Sequence, residues 1–360
     1  MGPLQGIKVV EMSGIGPAPF CAMVLADLGA EAIRLVRPGT TVDHRDVLSR
    51  NRPTVEVDIS TPDGQASVLN LIEHADILIE GFRPGVMEKN GLGPAECHER
   101  NAKLIYGRMT GWGQFGPLAH SAGHDINYIA ITGALNSIGR KDETPPPPIN
   151  FVGDFGGGGM LLLVGLLAAL HEVKSSGIGQ VIDAAMSDGT TLLSSFIYGL
   201  KAQGQWTSER SSNLLDGAAP FYDTYRCADG RFIALGAIEQ KFYQELRDRC
   251  GLEGSLFDEQ LNQACWATQK QALSGIIASR TREEWCQLLE GTDACVAPVL
   301  DWDEAPLHEH NRARETFISV ENVIQPAPAP RFSRTVPSIP KSPHTMSLAQ
   351  AMDRWNVKRD

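Results

Sequence analysis

The chain has 360 residues, enough to bury a substantial core and to form two domains. Apolar residues make up 42% and charged residues 21%, the balance of an ordinary globular protein. A formal net charge of −11 excludes a general nucleic-acid binder, whose phosphate contacts need clustered Lys and Arg, but leaves room for a small anionic ligand met by a few local cations.

The first 110 residues alternate strand and helix signals. "IKVVEM" is a short β-branched run, "GIGPAP" breaks it, "FCAMVLADLGA" has helical spacing, and "EAIRLV" and "TVEVDI" read as two further strands. "STPDGQASVLNLIEHA" predicts a helix with Ser60 or Thr61 as N-cap and Pro62 near its first position. "DILIEGF" and "KLIYGRM" continue the rhythm, which calls for a mostly parallel sheet covered by helices on both faces. The glycines at 14 and 16 start a dinucleotide fingerprint, yet prolines stand where backbone amides would meet a pyrophosphate and no final glycine follows.

Beyond Asp154 a helix, the strand "GQVIDAAM" and the helix "SDGTTLLSSFIYGLKAQG" are expected, before a loop-rich stretch opens a second domain. "TREEWCQLLEGTDACVAPVL" adds one helix and one strand, and the proline-rich tail at 324–343 reads as extended chain wrapping back over other elements. Seven scattered cysteines without a CxxC pair fit reduced thiols in a cytosol-like compartment, not a disulfide framework or a zinc site. The opening residues show no signal peptide. The longest apolar run, at 160–170, is about half of the roughly 20 residues a membrane span needs, so no span is expected.

Three stretches set ionisable residues against glycines and apolar residues. "SAGHDINYIAITGAL" places His124 and Asp125 where a loop enters an apolar helix; "NFVGDFGGGGM" places Asp154 ahead of four glycines at a helix mouth; "ALGAIEQKFY" places Glu239 at a strand-to-helix turn. A carboxylate at a helix start is satisfied locally as an N-cap. Paired with a histidine at a second helix start, it also suits proton removal on one face of a carbon and delivery on the other. Amides at the helix start would stabilise a developing oxyanion, and glycines at 156–159 would let a substrate approach the backbone closely.

"AGHDINYIAITG", "NFVGDFGGGG", "GQVIDAAMSDG", "NLLDGAAPFYDTYRCADGRF", "GAIEQKFY" and "DACVAPVL", taken in order, resemble the racemase branch of the class III CoA-transferase family, as do "LQGIKVVEMSGIGPAPFCAMVLADLGAEAIRLVRPG" and "NAKLIYGRMTGWGQFGP". The resemblance covers about residues 4–340. It implies an α/β fold: a Rossmann-like large domain with a parallel sheet, a smaller α+β domain, and an interlocked homodimer. The segments implied are a CoA-binding large domain at 1–185, a connecting helix at 186–220, a small domain at 221–310 and a tail at 311–360 returning to the large domain. The implied activity is a cofactor-independent 1,1-proton transfer at the α-carbon of a 2-methylacyl-CoA thioester, through an enolate, with no metal. His124 matches the base for the S epimer, Asp154 the acid/base for the R epimer, and Glu239 a carboxylate that orients the histidine. The Asp154 backbone amide is implied as the enolate's donor.

For CoA the resemblance implies Ile15, Arg37, Val57 and Ile59 in "EVDIS", Gly81, Phe82, Arg83 and Lys89 in "GFRPGVMEK", Arg108 and Tyr128. Arg37, Arg83, Lys89 and Arg108 are the candidate phosphate partners. Ser60 replaces a lysine common among relatives, and Lys89 stands where some carry arginine. The rival activity within the family is CoA transfer through an aspartyl anhydride on Asp154. The His-Asp-Ile-Asn-Tyr run at 124–128 favours the racemase, since a transferase needs no second proton base there. The cytoplasm is the expected location, or peroxisomes or mitochondria for an animal-like source, with neither a membrane nor a nucleic acid as partner.

Overall fold

A computed structural model describes residues 2–357, and contacts divide the chain into two compact units. The first extends to Ala134, resumes over Pro147–Ser195 and takes in the tail from Glu315; the second comprises Leu135–Pro146 and Phe196–Arg314. The large domain read from the sequence held 135–146, whereas contacts assign that segment to the second unit. Arg140 accounts for this: it grips Asp223 bidentately, at 2.8 and 2.7 Å, and Asp223 also pairs with Lys270.

The first unit is built on six strands in chain order, β1 (Lys8–Met12), β2 (Glu31–Val36), β3 (Pro53–Glu56), β4 (Ile77–Glu80), β5 (Ile105–Thr110) and β6 (Val181–Ala185), with His344–Thr345 from the tail at one edge. The order is His344–Thr345, β3, β2, β1, β4, β5, β6, and every neighbouring pair is parallel. Both faces are covered, which is why these strands read as near-continuous apolar runs. Ile77 and Ile79 join Leu25, Ile105, Leu162 and Leu166 on one face; Leu78, between them, joins Ile33, Leu35, Leu71 and Trp355 on the other.

Elements begin and end where local chemistry permits. Helix Pro17–Asp27 starts three residues before the apolar spacing suggested. Gly16 turns the chain with φ 69°, and prolines in a first turn forfeit only amides that lack an acceptor anyway. Thr61, not Ser60, caps helix Pro62–Ile72 by accepting from the Gly64 amide at 3.1 Å. The helix expected across 187–204 is two, Met186–Leu193 and Ser195–Ala202. At the break the Ser194 and Ser195 hydroxyls donate to the Thr190 and Leu192 carbonyls. The tail is anchored by Arg50, which donates to Gln325 Oε1 and the Pro326 carbonyl at 2.9 and 2.7 Å while paired with buried Asp27. The second unit packs helices Gln240–Cys250, Gln263–Ile277 and Arg282–Leu289 against the antiparallel strands Tyr222–Arg226, Phe232–Gly236 and Val296–Val299.

Phe151–Met160 winds as a wide π-helix that runs straight into the α-helix Leu161–Ser176. The continuous rod has 26 residues, and an 18-residue window of it has a mean hydropathy of 1.7, long and apolar enough by length and composition to cross a membrane. Its Leu162, Leu163, Leu166 and Leu170 are buried in the sheet-facing core, the arrangement of a core helix. The glycines explain the close packing at its start. A Cβ on Gly157 would lie 2.6 Å from the Thr190 amide, and one on Gly158 2.9 Å from the Met186 side chain. Gly157→Ala is therefore expected to lower stability by about 2 kcal/mol in urea denaturation. An unchanged midpoint would show that helix Met186–Leu193 can move away freely.

Candidate active site

The strand order reverses between β1 and β4, the place where open α/β sheets bind ligands beyond the strands' carboxyl ends. A cleft of about 590 Å³ opens there, lined only by first-unit residues. The loop after β1 supplies Ile15 and Gly16, the loop after β4 Gly81 to Pro84, the stretch after β5 Trp112 and His124, and the π-helix Asp154 and Phe155.

His124 precedes helix Asp125–Ala130 as its N-cap and is exposed; its amide donates to Asn127 Oδ1 at 3.1 Å. Asp154 is half-buried, and its Oδ2 accepts from Asn150 Nδ2 at 3.2 Å. The bare backbone of Gly16 faces it, since a Cβ there would lie 3.1 Å from Asp154 Oδ2. Burial pushes the Asp154 carboxyl above the usual carboxylate range and the Asp125 charge adds to this, while the Asn150 hydrogen bond and His124 pull the other way.

Asp125 joins the two helix starts. It is buried, and its Oδ2 accepts the Asp154 backbone amide at 2.7 Å; Oδ1 has no hydrogen-bond partner among the described residues. Gly153 makes the approach possible, because a Cβ at that position would stand 2.5 Å from Asp125 Oδ2. The Asp154 amide, expected to serve an enolate, is occupied in this structure by its bond to Asp125. The second expectation for this helix mouth also changes: Gly157, Gly158 and Gly159 are buried against protein neighbours and do not present backbone to a ligand.

Of the ten residues expected to meet CoA, Ile15, Gly81, Phe82, Arg83 and Tyr128 line the cleft. Tyr128 is buried edge-on to Trp112, with ring centroids 4.8 Å apart, and its hydroxyl donates to the Gly123 carbonyl next to His124. Arg37 and Lys89 are exposed and outside the lining; Val57 belongs to the core and Ile59 packs on it. Arg108 is buried between Glu80 and Glu88. Glu239 stands exposed at the N-cap of Gln240–Cys250 in the second unit. The positions that sequence reading left without a role here are Asp125, Asn150, Gly16 and Trp112. For Asp125 the available signal was a carboxylate in a first helical turn beside a histidine, which does not disclose a partner 29 residues away.

Fold and cleft together define a doubly wound α/β protein with a histidine and a carboxylic acid lining a cleft at its switch point. The profile of CoA-transferase family III matches residues 4–347. Mouse alpha-methylacyl-CoA racemase is 46% identical over 348 residues, 96% of this chain and 91% of its own. The human alpha-methylacyl-CoA racemase is 46% identical over 94% of this chain and 90% of its own. The crystal structure of Rv3272 from Mycobacterium tuberculosis superposes with a TM-score of 0.78 at 27% identity, covering 96% of this chain and 97% of that one. The chain belongs to CoA-transferase family III.

Asp125→Asn keeps an oxygen for the Asp154 amide but removes the neighbouring charge. The Asp154 carboxyl, followed by carbon-13 NMR titration, is expected to titrate at lower pH in that variant than in the parent. An unmoved titration would mean that Asp125 has no electrostatic hold on it.

Proposed function

We propose that this protein interconverts the (R) and (S) epimers of 2-methylacyl-CoA thioesters. The observation that carries the reading is that His124 and Asp154, from two different helix starts, line one cleft. The similarity to two racemases over nearly the whole chain supports it. His124 takes the α-proton of the S epimer, and the C–H electron pair moves into an enolate with its charge on the thioester oxygen. Protonated Asp154 then delivers its proton to the opposite face of the α-carbon, giving the R epimer; exchange with water resets both groups. The reverse reaction uses the same residues in exchanged roles.

An imidazole titrates near neutrality and so serves both directions. Asp154 has the harder task, because an ordinary carboxyl would be ionised at neutral pH. Its upward shift moves it toward the protonated form that delivery requires. With the Asp154 amide engaged, the enolate oxygen falls to the Asp125 and Ile126 amides at the start of helix Asp125–Ala130, since the Asn127 and Tyr128 amides already reach the His124 carbonyl. Ile15, Phe82 and Phe155 offer apolar surface to the acyl part. Arg83 at the rim offers a cation to the phosphates, and Arg37 and Lys89, both exposed, serve the more distant phosphates of an extended CoA. The reading needs no metal and no redox cofactor, since two proton carriers and oxyanion donors complete the chemistry.

The working form is a homodimer in which Glu239 reaches the histidine from the second copy. Exposed Val164, Leu192 and Leu193 on first-unit helices supply apolar surface for such an association. Seven free cysteines suit a reducing compartment, and the cytoplasm is the proposed location, without a membrane span.

A 2-methylacyl-CoA incubated with the protein alone in D₂O is expected to exchange its α-proton and lose optical purity. His124→Ala and Asp154→Ala should each lower racemisation by a factor of at least about 10² while CoA still binds. Turnover that appears only when a free carboxylic acid is added, with CoA moving to it, would instead establish the transferase chemistry.

A further inference from the structure

Arg108 was expected among the phosphate contacts, and its surroundings assign it other work. It stands on β5 directly opposite Glu80 on β4, the last residue before the loop that carries Gly81, Phe82, Arg83 and Pro84 into the cleft. Its Nε donates to Glu80 Oε1 at 2.9 Å. Its Nη1 and Nη2 donate to the two oxygens of Glu88, at 2.8 and 3.3 Å. Glu88 lies on the short helix Val86–Lys89, just past the other end of the same loop. The remaining oxygen of Glu80 accepts the Phe82 amide at 2.7 Å, so the carboxylate that holds Arg108 also holds the loop's own backbone.

All three guanidinium nitrogens thus reach carboxylates, and the side chain is only 8% exposed. A phosphate would have to displace Glu88 and follow the guanidinium into the protein. Glu80, 1% exposed, has Arg108 as its only cationic partner among the described residues. The planar fork suits this task, since one cation has to satisfy two carboxylates in different directions, which a lysine ammonium does less well. The face of Tyr106, 5.7 Å from the guanidinium carbon, limits where the fork can lie.

We propose that Arg108 is a positioning residue: with Glu80 and Glu88 it buckles the two ends of the 81–85 loop, and so sets where Phe82 and Arg83 meet CoA, without touching CoA itself. This rests on the reading of the cleft as a CoA-thioester site. Loosening the buckle leaves His124 and Asp154 in place and blurs the loop's geometry. Its signature is weaker CoA binding and a higher KM, with kcat little changed.

The deciding variant is Glu88→Gln, because the buckle and a phosphate contact predict opposite signs for it. Glu88 is 43% exposed, so the change spares the buried Glu80–Arg108 pair and should leave the fold intact. With a buckle, the dissociation constant for free CoA, measured by calorimetry on the full chain, rises about fivefold. If Arg108 instead binds phosphate, removing a competing carboxylate makes CoA bind more tightly. Arg108→Lys, checked for folding by circular dichroism, is expected to raise KM for the acyl-CoA about tenfold while kcat stays within about twofold.

Tighter or unchanged CoA binding by Glu88→Gln overturns the proposal, as does a fall in kcat with unchanged KM in Arg108→Lys. A parent protein that binds CoA without racemising overturns the proposed activity, while the calorimetric result still decides the buckle. A parent protein that binds no CoA overturns both.

Discussion

The Asp125 carboxylate accepts the Asp154 amide across a gap that only Gly153, lacking a side chain, leaves open. Most of the cleft's chemistry depends on that contact. It ties the start of helix Asp125–Ala130, with His124 as its cap, to the π-helical turn that presents Asp154. It also sets a negative charge near the Asp154 carboxyl, which together with burial raises its proton affinity. One buried group therefore fixes where His124 and Asp154 stand and biases the protonation of Asp154. The cost is a buried carboxylate oxygen, Asp125 Oδ1, without a hydrogen-bond partner among the described residues.

The sheet supplies the rest. Its order places the ends of β1 and β4 side by side, and their loops form the near wall of the cleft. The wide turns of Phe151–Met160 let Asp154 face the cleft while the glycines just after it seat against helix Met186–Leu193 and the start of Pro17–Asp27. A regular α-helix with larger residues would have to give up that close packing or rotate the carboxyl away. The glycine run is a packing device whose effect on chemistry is indirect.

Much of this was legible in the residues. The β/α rhythm comes from apolar runs of the right length separated by breakers, and those runs are apolar because a parallel sheet covered on both faces leaves no wet side. His124 and Asp154 stood out because ionisable groups at glycine-flanked helix starts are uncommon and their surrounding motifs are specific. What stayed hidden depended on partners far along the chain. Arg108 reads as a free cation until β4 places Glu80 beside it, 28 residues earlier. Four glycines before a helix look the same whether they admit a ligand or a neighbouring helix. The Asp154 amide looked available because no spacing rule reports that Asp125 has reached it. The break at Ser194 was hidden for a different reason, as serine hydroxyls compete with the helix only once the local geometry lets them turn back.

The central claim is that two residues serve opposite faces of one carbon. It is tested most directly by Asp154→Ala with each epimer of a 2-methylacyl-CoA in D₂O, the α-position being followed by proton NMR. With His124 alone remaining, the S epimer should take up deuterium at its α-carbon and keep its configuration, while the R epimer stays unlabelled. Exchange from the R epimer, or continued inversion by a folded variant, would contradict the account.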